Sequence, residues 1–193
     1  MPEVLLFHHV QGLTTGVAAF ADALRAAGHT VHTPDLFAGE TFGTMDQGMA
    51  YAQQERSPGI DEIAAAAADA LPPELVYAGF SFGVMPAQRL AQTRPGAQGA
   101  LLFESCLPIT GDWAFGPWPD GVPVQIHGVE ADPVFAGDGD LDAARELVSL
   151  VPEAELFLYP GDQHLFSDRS LPSYDAEATE LLTRRVLDFL GRL

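Results

Sequence analysis

Short apolar runs recur along the chain, separated by longer stretches in which apolar positions return every three or four residues. The short runs are Val4 to His8, His29 to Thr33, Leu75 to Phe80, Ala100 to Glu104, Pro123 to His127 and Glu155 to Tyr159. Their length and their content of valine, leucine and aromatic residues predict buried strands. The longer stretches predict helices. Val17 to Ala27 puts Val17, Phe20, Ala23 and Leu24 on one face and stops at Gly28. Met45 to Arg56 reads as a short helix. Asp61 to Leu71 is rich in alanine, so it can lie close to a sheet, and Pro72-Pro73 ends it. Val84 to Gln92 and Asp140 to Leu150 follow the same spacing. The last helix, capped by Ser173, carries a core-facing stripe of Leu181, Leu182, Val186, Phe189 and Leu190. Strands alternating with helices imply βαβ units, a mostly parallel sheet and helices on both faces: a three-layer α/β fold. No repeat, linker or low-complexity stretch interrupts the pattern, and residues 1–193 read as a single domain.

Charge narrows the set of partners. The formal net charge is -18, from 27 acidic and 9 basic residues, and every basic residue is arginine. Such a surface repels phosphate backbones and anionic bilayers, so neither nucleic acid nor a membrane is expected as a partner. No apolar run approaches the roughly 20 residues of a membrane span. Met1-Pro2-Glu3 leads straight into a strand without a basic start or an apolar leader, which makes the cytoplasm the expected location. The single cysteine, Cys106, has no internal partner and reads as a buried thiol. His8 and His9 are adjacent on a strand and point to opposite faces, so they are poorly placed to share a metal ion. One is expected to pack inward and the other, His9, to line a pocket.

The stretch that carries chemistry is Gly79-Phe80-Ser81-Phe82-Gly83, a G-x-S-x-G pattern after a strand and before a helix. A serine there sits on a tight, strained turn, and the flanking glycines leave room for the crossing backbone. The hydroxyl then stands over the sheet edge at a helix N-terminus, where backbone N–H groups favour developing negative charge. The alternative is a glycine-rich strand exit whose serine only caps the helix. A serine nucleophile needs a base, and the base needs an orienting acid. Asp132 lies in the loop after Pro123 to His127, and His164 lies in the loop after the last strand. Both loops leave the same sheet edge as the serine, in the order serine, acid, histidine. Glu130 is a rival acid and His127 a rival base, although His127 precedes the acid. Asp162 can stabilise the turn at Gly161.

These pieces together resemble the dienelactone hydrolase family of small α/β-hydrolases without a cap domain. The first strand and its glycine loop, Gly28-His29 leading to Pro34-Asp35-Leu36-Phe37-Ala38, the serine turn, the Asp132 loop and Gly161 to Phe166 all carry the likeness. The resemblance spans essentially the whole chain. It implies that the backbone N–H groups of Val10 and Phe82 form the oxyanion hole. The family's founding members have cysteine where this chain has Ser81. They also place a nucleophile-contacting glutamate at the position of His9, and a carboxylate-binding arginine at the position of Asp168, next to Arg169.

The expected activity is cleavage of a carboxylic ester or lactone through an acyl-enzyme on Ser81. Asp132 and His164 assist, and no cofactor is implied. Trp113, Phe115 and Trp118 are expected to wall an apolar substrate pocket. Arg169 is the candidate for any grip on a substrate carboxylate, because Asp168 is expected to repel one. A small-molecule ester or lactone is the expected partner, acted on by a monomer or homodimer. Thioester or peptide cleavage on the same residues, or a non-catalytic binding or scaffold role, are the alternatives.

Overall fold

In the computed structural model, which describes residues 1–54 and 58–193, six parallel strands form one sheet. The elements run β1 (Glu3–Phe7), α1 (Thr15–Ala26), β2 (Thr30–His32), α2 (Met45–Ala52), α3 (Ile60–Asp69), β3 (Leu75–Phe80), α4 (Val84–Thr93), β4 (Gly99–Phe103), β5 (Val124–Val129), α5 (Asp140–Leu150), β6 (Ala154–Tyr159) and α6 (Ala176–Leu190). Strand order is β2-β1-β3-β4-β5-β6, every neighbouring pair parallel. All six strand C-termini therefore share one edge, where an α/β sheet of this kind places its site.

The strands are apolar at consecutive positions because both faces are covered. Along β1, Leu5 and Phe7 face one layer while Val4 and Leu6 face the other. The first layer is α3, α4 and α5, through Ala64, Ala68, Val84, Ala87, Leu141, Ala144 and Leu147. The second is α1 and α6, through Val17, Phe20, Leu24, Leu182, Val186 and Phe189. Alanines on α3 let that helix approach its neighbours, as the sequence implies.

Several boundaries differ from expectation. The buried face of α1 uses Ala21, whereas Ala23 is exposed. A step of four from Val17 falls on Ala21, which continues the stripe to Leu24. The N-cap of α6 is Asp175, whose carboxylate accepts the Ala178 N–H at 3.0 Å. Ser173 instead donates to the Leu165 carbonyl at 3.2 Å and ties down the preceding loop. Strand β5 runs on through Gly128 and Val129, pairing with Leu158 and Tyr159. The predicted helix from Met45 ends at Ala52, and its expected last residues, 55 and 56, lie outside the described residues.

Candidate active site

Strand β3 delivers Ser81 onto a single turn of 3-10 helix, Ser81–Gly83, that leads into α4. Ser81 has φ 46, in the left-handed region that a serine adopts only at a cost. The glycines are required by space. A Cβ on Gly83 would lie 2.6 Å from the carbonyl oxygens of both Phe7 and His8, and one on Gly79 would lie 2.2 Å from the Gly83 oxygen. The turn is thus packed directly against the end of β1, which brings the loop after β1 beside the serine.

Three predicted residues converge. Ser81 Oγ is 2.7 Å from His164 Nε2, and His164 Nδ1 is 2.6 Å from Asp132 Oδ2. A carboxylate can only accept, so Nδ1 carries the ring proton and Nε2 is left to accept from the serine hydroxyl. Asp132 is fully buried, and its other oxygen accepts the Val134 N–H at 2.9 Å, which fixes its rotamer. Burial alone would lower the pKa of His164. The bond to Asp132 and the charges of Glu104, Asp132 and Asp140 outweigh it, and the net effect is upward.

The rivals are placed elsewhere. Glu130 is exposed and takes part through its backbone, donating to the Tyr159 carbonyl. His127 is buried within the sheet, its ring nitrogens 2.9 Å from Tyr159 Oη and 3.1 Å from Gln125 Oε1. Burial drives its pKa down to about 3. Asp162 is exposed and accepts from the Gln163 side chain.

Three other expectations need correction. His9 does not line a pocket: it is fully buried, and its Nε2 meets Asp168 Oδ2 at 2.7 Å. Its Nδ1 accepts the Gln11 N–H at 3.2 Å, so the proton sits on Nε2 and is donated to Asp168. Asp168 does not face a substrate: it is 3% exposed. It accepts from His9, from the Thr14 hydroxyl, and from Ser170 N–H at 2.8 Å and Ser170 Oγ at 2.6 Å. Burial raises its pKa, but these donors prevail and hold the carboxyl at about 2. The two positions at which the family keeps its glutamate and arginine are here bonded to each other beneath the surface. Arg169 is exposed and lines a cavity of about 410 Å³ with Phe20 of α1 and Thr179 and Thr183 of α6, a set that includes none of the three converging residues.

The tryptophans are also misplaced by the sequence reading. Trp118 is 6% exposed and packs in the core, its Nε1–H donated to the Val122 carbonyl at 2.7 Å. Trp113 is 86% exposed and can wall nothing. Half-buried Phe115 adjoins Gly116, whose carbonyl is held by Gln92 near the far end of α4. Eight residues of helix separate that point from the serine turn, about 12 Å at 1.5 Å per residue.

The aromatic cluster beside the serine is built on Phe37, which the sequence marks only as part of the family likeness. Phe82 lies 5.8 Å from Phe37, ring to ring, and Phe37 in turn meets Phe42 and Tyr51. The loop 35–44 is locked onto the β1 exit by Phe42 N–H to the Gln11 carbonyl and by Gln11 Nε2 to the Phe42 carbonyl. The run of aromatics at 37, 42 and 51 was the available signal. His8 completes this side: Nδ1 donates to the His9 carbonyl at 2.7 Å and Nε2 accepts the Leu36 N–H at 3.0 Å. Burial lowers its pKa to about 4. Cys106 is fully buried with its backbone N–H on Asp140, and burial pushes its thiol pKa up.

A parallel sheet with a serine on a strained strand-to-helix turn, and a histidine and an acid on later strand ends, defines the α/β-hydrolase fold. The dienelactone hydrolase family model matches residues 1–193, and the chain belongs to that family of hydrolases. Among solved structures it is similar to a candidate dienelactone hydrolase of Klebsiella pneumoniae, at 18% identity over 100% of this chain and 88% of that one, TM-score 0.77. It is also similar to a dienelactone hydrolase-like promiscuous phosphotriesterase from metagenomic libraries, at 20% identity over 100% and 87%, TM-score 0.74. A Pyrobaculum calidifontis esterase matches at 15% identity over 97% and 75%, TM-score 0.67. No curated protein matches the chain. Among the described residues, no helix is long and apolar enough to cross a membrane.

Proposed function

We propose that the chain is a serine hydrolase of carboxylic esters or lactones that works through an acyl-enzyme on Ser81. The observation that carries this reading is the unbroken relay from Ser81 Oγ to His164 at 2.7 Å and from His164 to Asp132 at 2.6 Å. His164 takes the hydroxyl proton as Ser81 attacks the carbonyl, then returns it to the leaving alcohol. Asp132 holds the tautomer and stabilises the imidazolium. Water then attacks the acyl-enzyme, with the same histidine as base.

The oxyanion is received by the Val10 and Phe82 N–H groups, worth about 3 kcal/mol each in the barrier. Support for Val10 is the rigidity of its loop: His9 takes the Gln11 N–H on its ring and the Gly12 N–H, at 3.0 Å, on its carbonyl. His9 and Asp168 therefore serve the loop rather than the substrate. Apolar substrate groups are assigned to the part-exposed Phe42 and Phe82 beside the serine, which the buried Phe37 backs.

The preferred substrates are neutral. Asp168 stands buried where the family binds a carboxylate with arginine, and Arg169 opens onto a different cavity. The test is labelling by a fluorophosphonate, followed by an ester panel that pairs each neutral ester with its carboxylate analogue, with Ser81→Ala as the blank. Labelling of wild type alone and higher kcat/KM for the neutral member are expected. A wild type that does not label, as a scaffold would not, defeats the reading.

A further inference from the structure

The apolar strand β4 ends on a carboxylate that the relay above does not use. Glu104 follows Phe103 at the sheet edge, on the strand between those carrying Ser81 and Asp132. Its backbone is left-handed, φ 62, and its N–H is held by the His127 carbonyl at 2.6 Å. The side chain is fully buried. Oε1 accepts from Ser167 Oγ at 3.1 Å and Ser167 N at 3.4 Å, and Oε2 has no hydrogen-bond partner among the described residues. Ser167 sits three residues after His164 on the same loop.

An unmet carboxylate oxygen in the interior is costly, and packing gains nothing from it. A glutamine at this position could hold Ser167 as well. What the carboxylate adds is charge, and its histidine neighbours are His164 and His9. His9 already has Asp168. His164 becomes positive whenever it holds the serine proton.

We propose that Glu104 is a second carboxylate of His164: a positioning residue that steadies the histidine's loop through Ser167 and stabilises the imidazolium alongside Asp132. The inference rests on the serine-hydrolase reading. Groups facing His164 are Ser81 on the β3 turn, Asp132 after β5, Glu104 after β4 and Asp140 at the start of α5. Those facing Glu104 are His164, His9 and Ser167. Glu104 exchanges no proton in the step. The Ser81 O–H bond breaks, the new N–H forms on His164 Nε2, and the nearby carboxylate lowers the energy of the cation. Burial outweighs the opposing His164 charge and Ser167 hydrogen bonds and raises the pKa of Glu104, so its ionisation is favoured most when His164 is positive.

The experiment is the pH profile of kcat/KM for Glu104→Gln, which keeps the shape and the acceptor for Ser167 but removes the charge. The acidic limb should move to lower pH by about half a unit or more, and kcat should fall about three- to tenfold. Because two carboxylates share one cation, Glu104→Gln should cost about tenfold more in an Asp132→Asn background than in wild type. Glu104→Asp keeps the charge and should leave the limb within about 0.2 units of wild type. This variant carries the test if the glutamine protein does not fold, and a limb that drops in it overturns the proposal. Fluorophosphonate labelling separates the two levels. If wild-type Ser81 labels but Glu104→Gln leaves the limb unmoved, Glu104 is only structural and the proposal fails alone. If wild type does not label, the hydrolase reading fails and this falls with it.

Discussion

Asp168→Asn decides whether that carboxylate belongs to the fold or to the substrate. Asp168 accepts four hydrogen bonds, from His9, Thr14 and twice from Ser170. Their joint preference for the anion holds the carboxyl at about 2 against an ordinary 3.8. At about 1.4 kcal/mol per pH unit this corresponds to about 2 kcal/mol of stability at neutral pH. Asparagine has one acceptor oxygen, and its NH2 group would meet donors. The variant should therefore lose about 2–3 kcal/mol, a fall in Tm of about 5–10 °C for a chain of this size. The sign with pH follows from the depressed pKa. The contribution is complete above the ordinary carboxylate value and is lost as pH falls from about 4 to about 2. Urea melts of both proteins from pH 7 down to pH 3 should show the gap narrowing at the acid end. Neutral and carboxylate esters should lose activity together, since the side chain touches neither. An Asn variant as stable as wild type, with a selective gain for carboxylate esters, would refute the buried placement and restore Asp168 to the substrate side.

The remaining predictions concern the relay and its turn. His164→Ala should lower kcat by about three orders of magnitude or more, and combining it with Ser81→Ala should add little, as steady-state assays against the same ester will show. Asp132→Asn should lower kcat while leaving KM nearly unchanged, and full activity would point to another acid. In the proposed mechanism His164 must be neutral to act, and Asp132 and Glu104 raise its pKa, so kcat/KM should rise with pH through a limb above the ordinary 6.5. Gly83→Ala forces a Cβ to 2.6 Å from two carbonyl oxygens and should abolish soluble expression or fluorophosphonate labelling.

The strands were legible because a strand covered on both faces reads as a short, nearly continuous apolar run, and six such runs stand out. Ser81, Asp132 and His164 were legible because parallel strands send their C-termini to one edge, so chain order and strand-end position suffice. What escaped lies in loops, where no period dictates which way a side chain turns. Asp168 and His9 were both placed by the sequence toward a substrate, yet each satisfies the other underneath. Trp118 lies in a proline- and glycine-rich segment whose only guide is its own N–H finding the Val122 carbonyl. Glu104 was visible as an acid closing an apolar strand, but its tie to Ser167 spans 63 residues and needs the fold to appear.

Among the described residues, four non-glycine residues adopt left-handed backbone, and three of them, Ser81, Glu104 and Leu165, sit at or next to the proposed relay. Each such residue costs about 1–2 kcal/mol. The chain therefore holds its reactive groups in tension, and releasing that tension should make a better-folded protein and a dead one. Ser81→Gly should melt above Ser81→Ala although both lack the nucleophile. Selection for thermal stability alone would then drift toward glycine at the very position where the proposed chemistry needs serine.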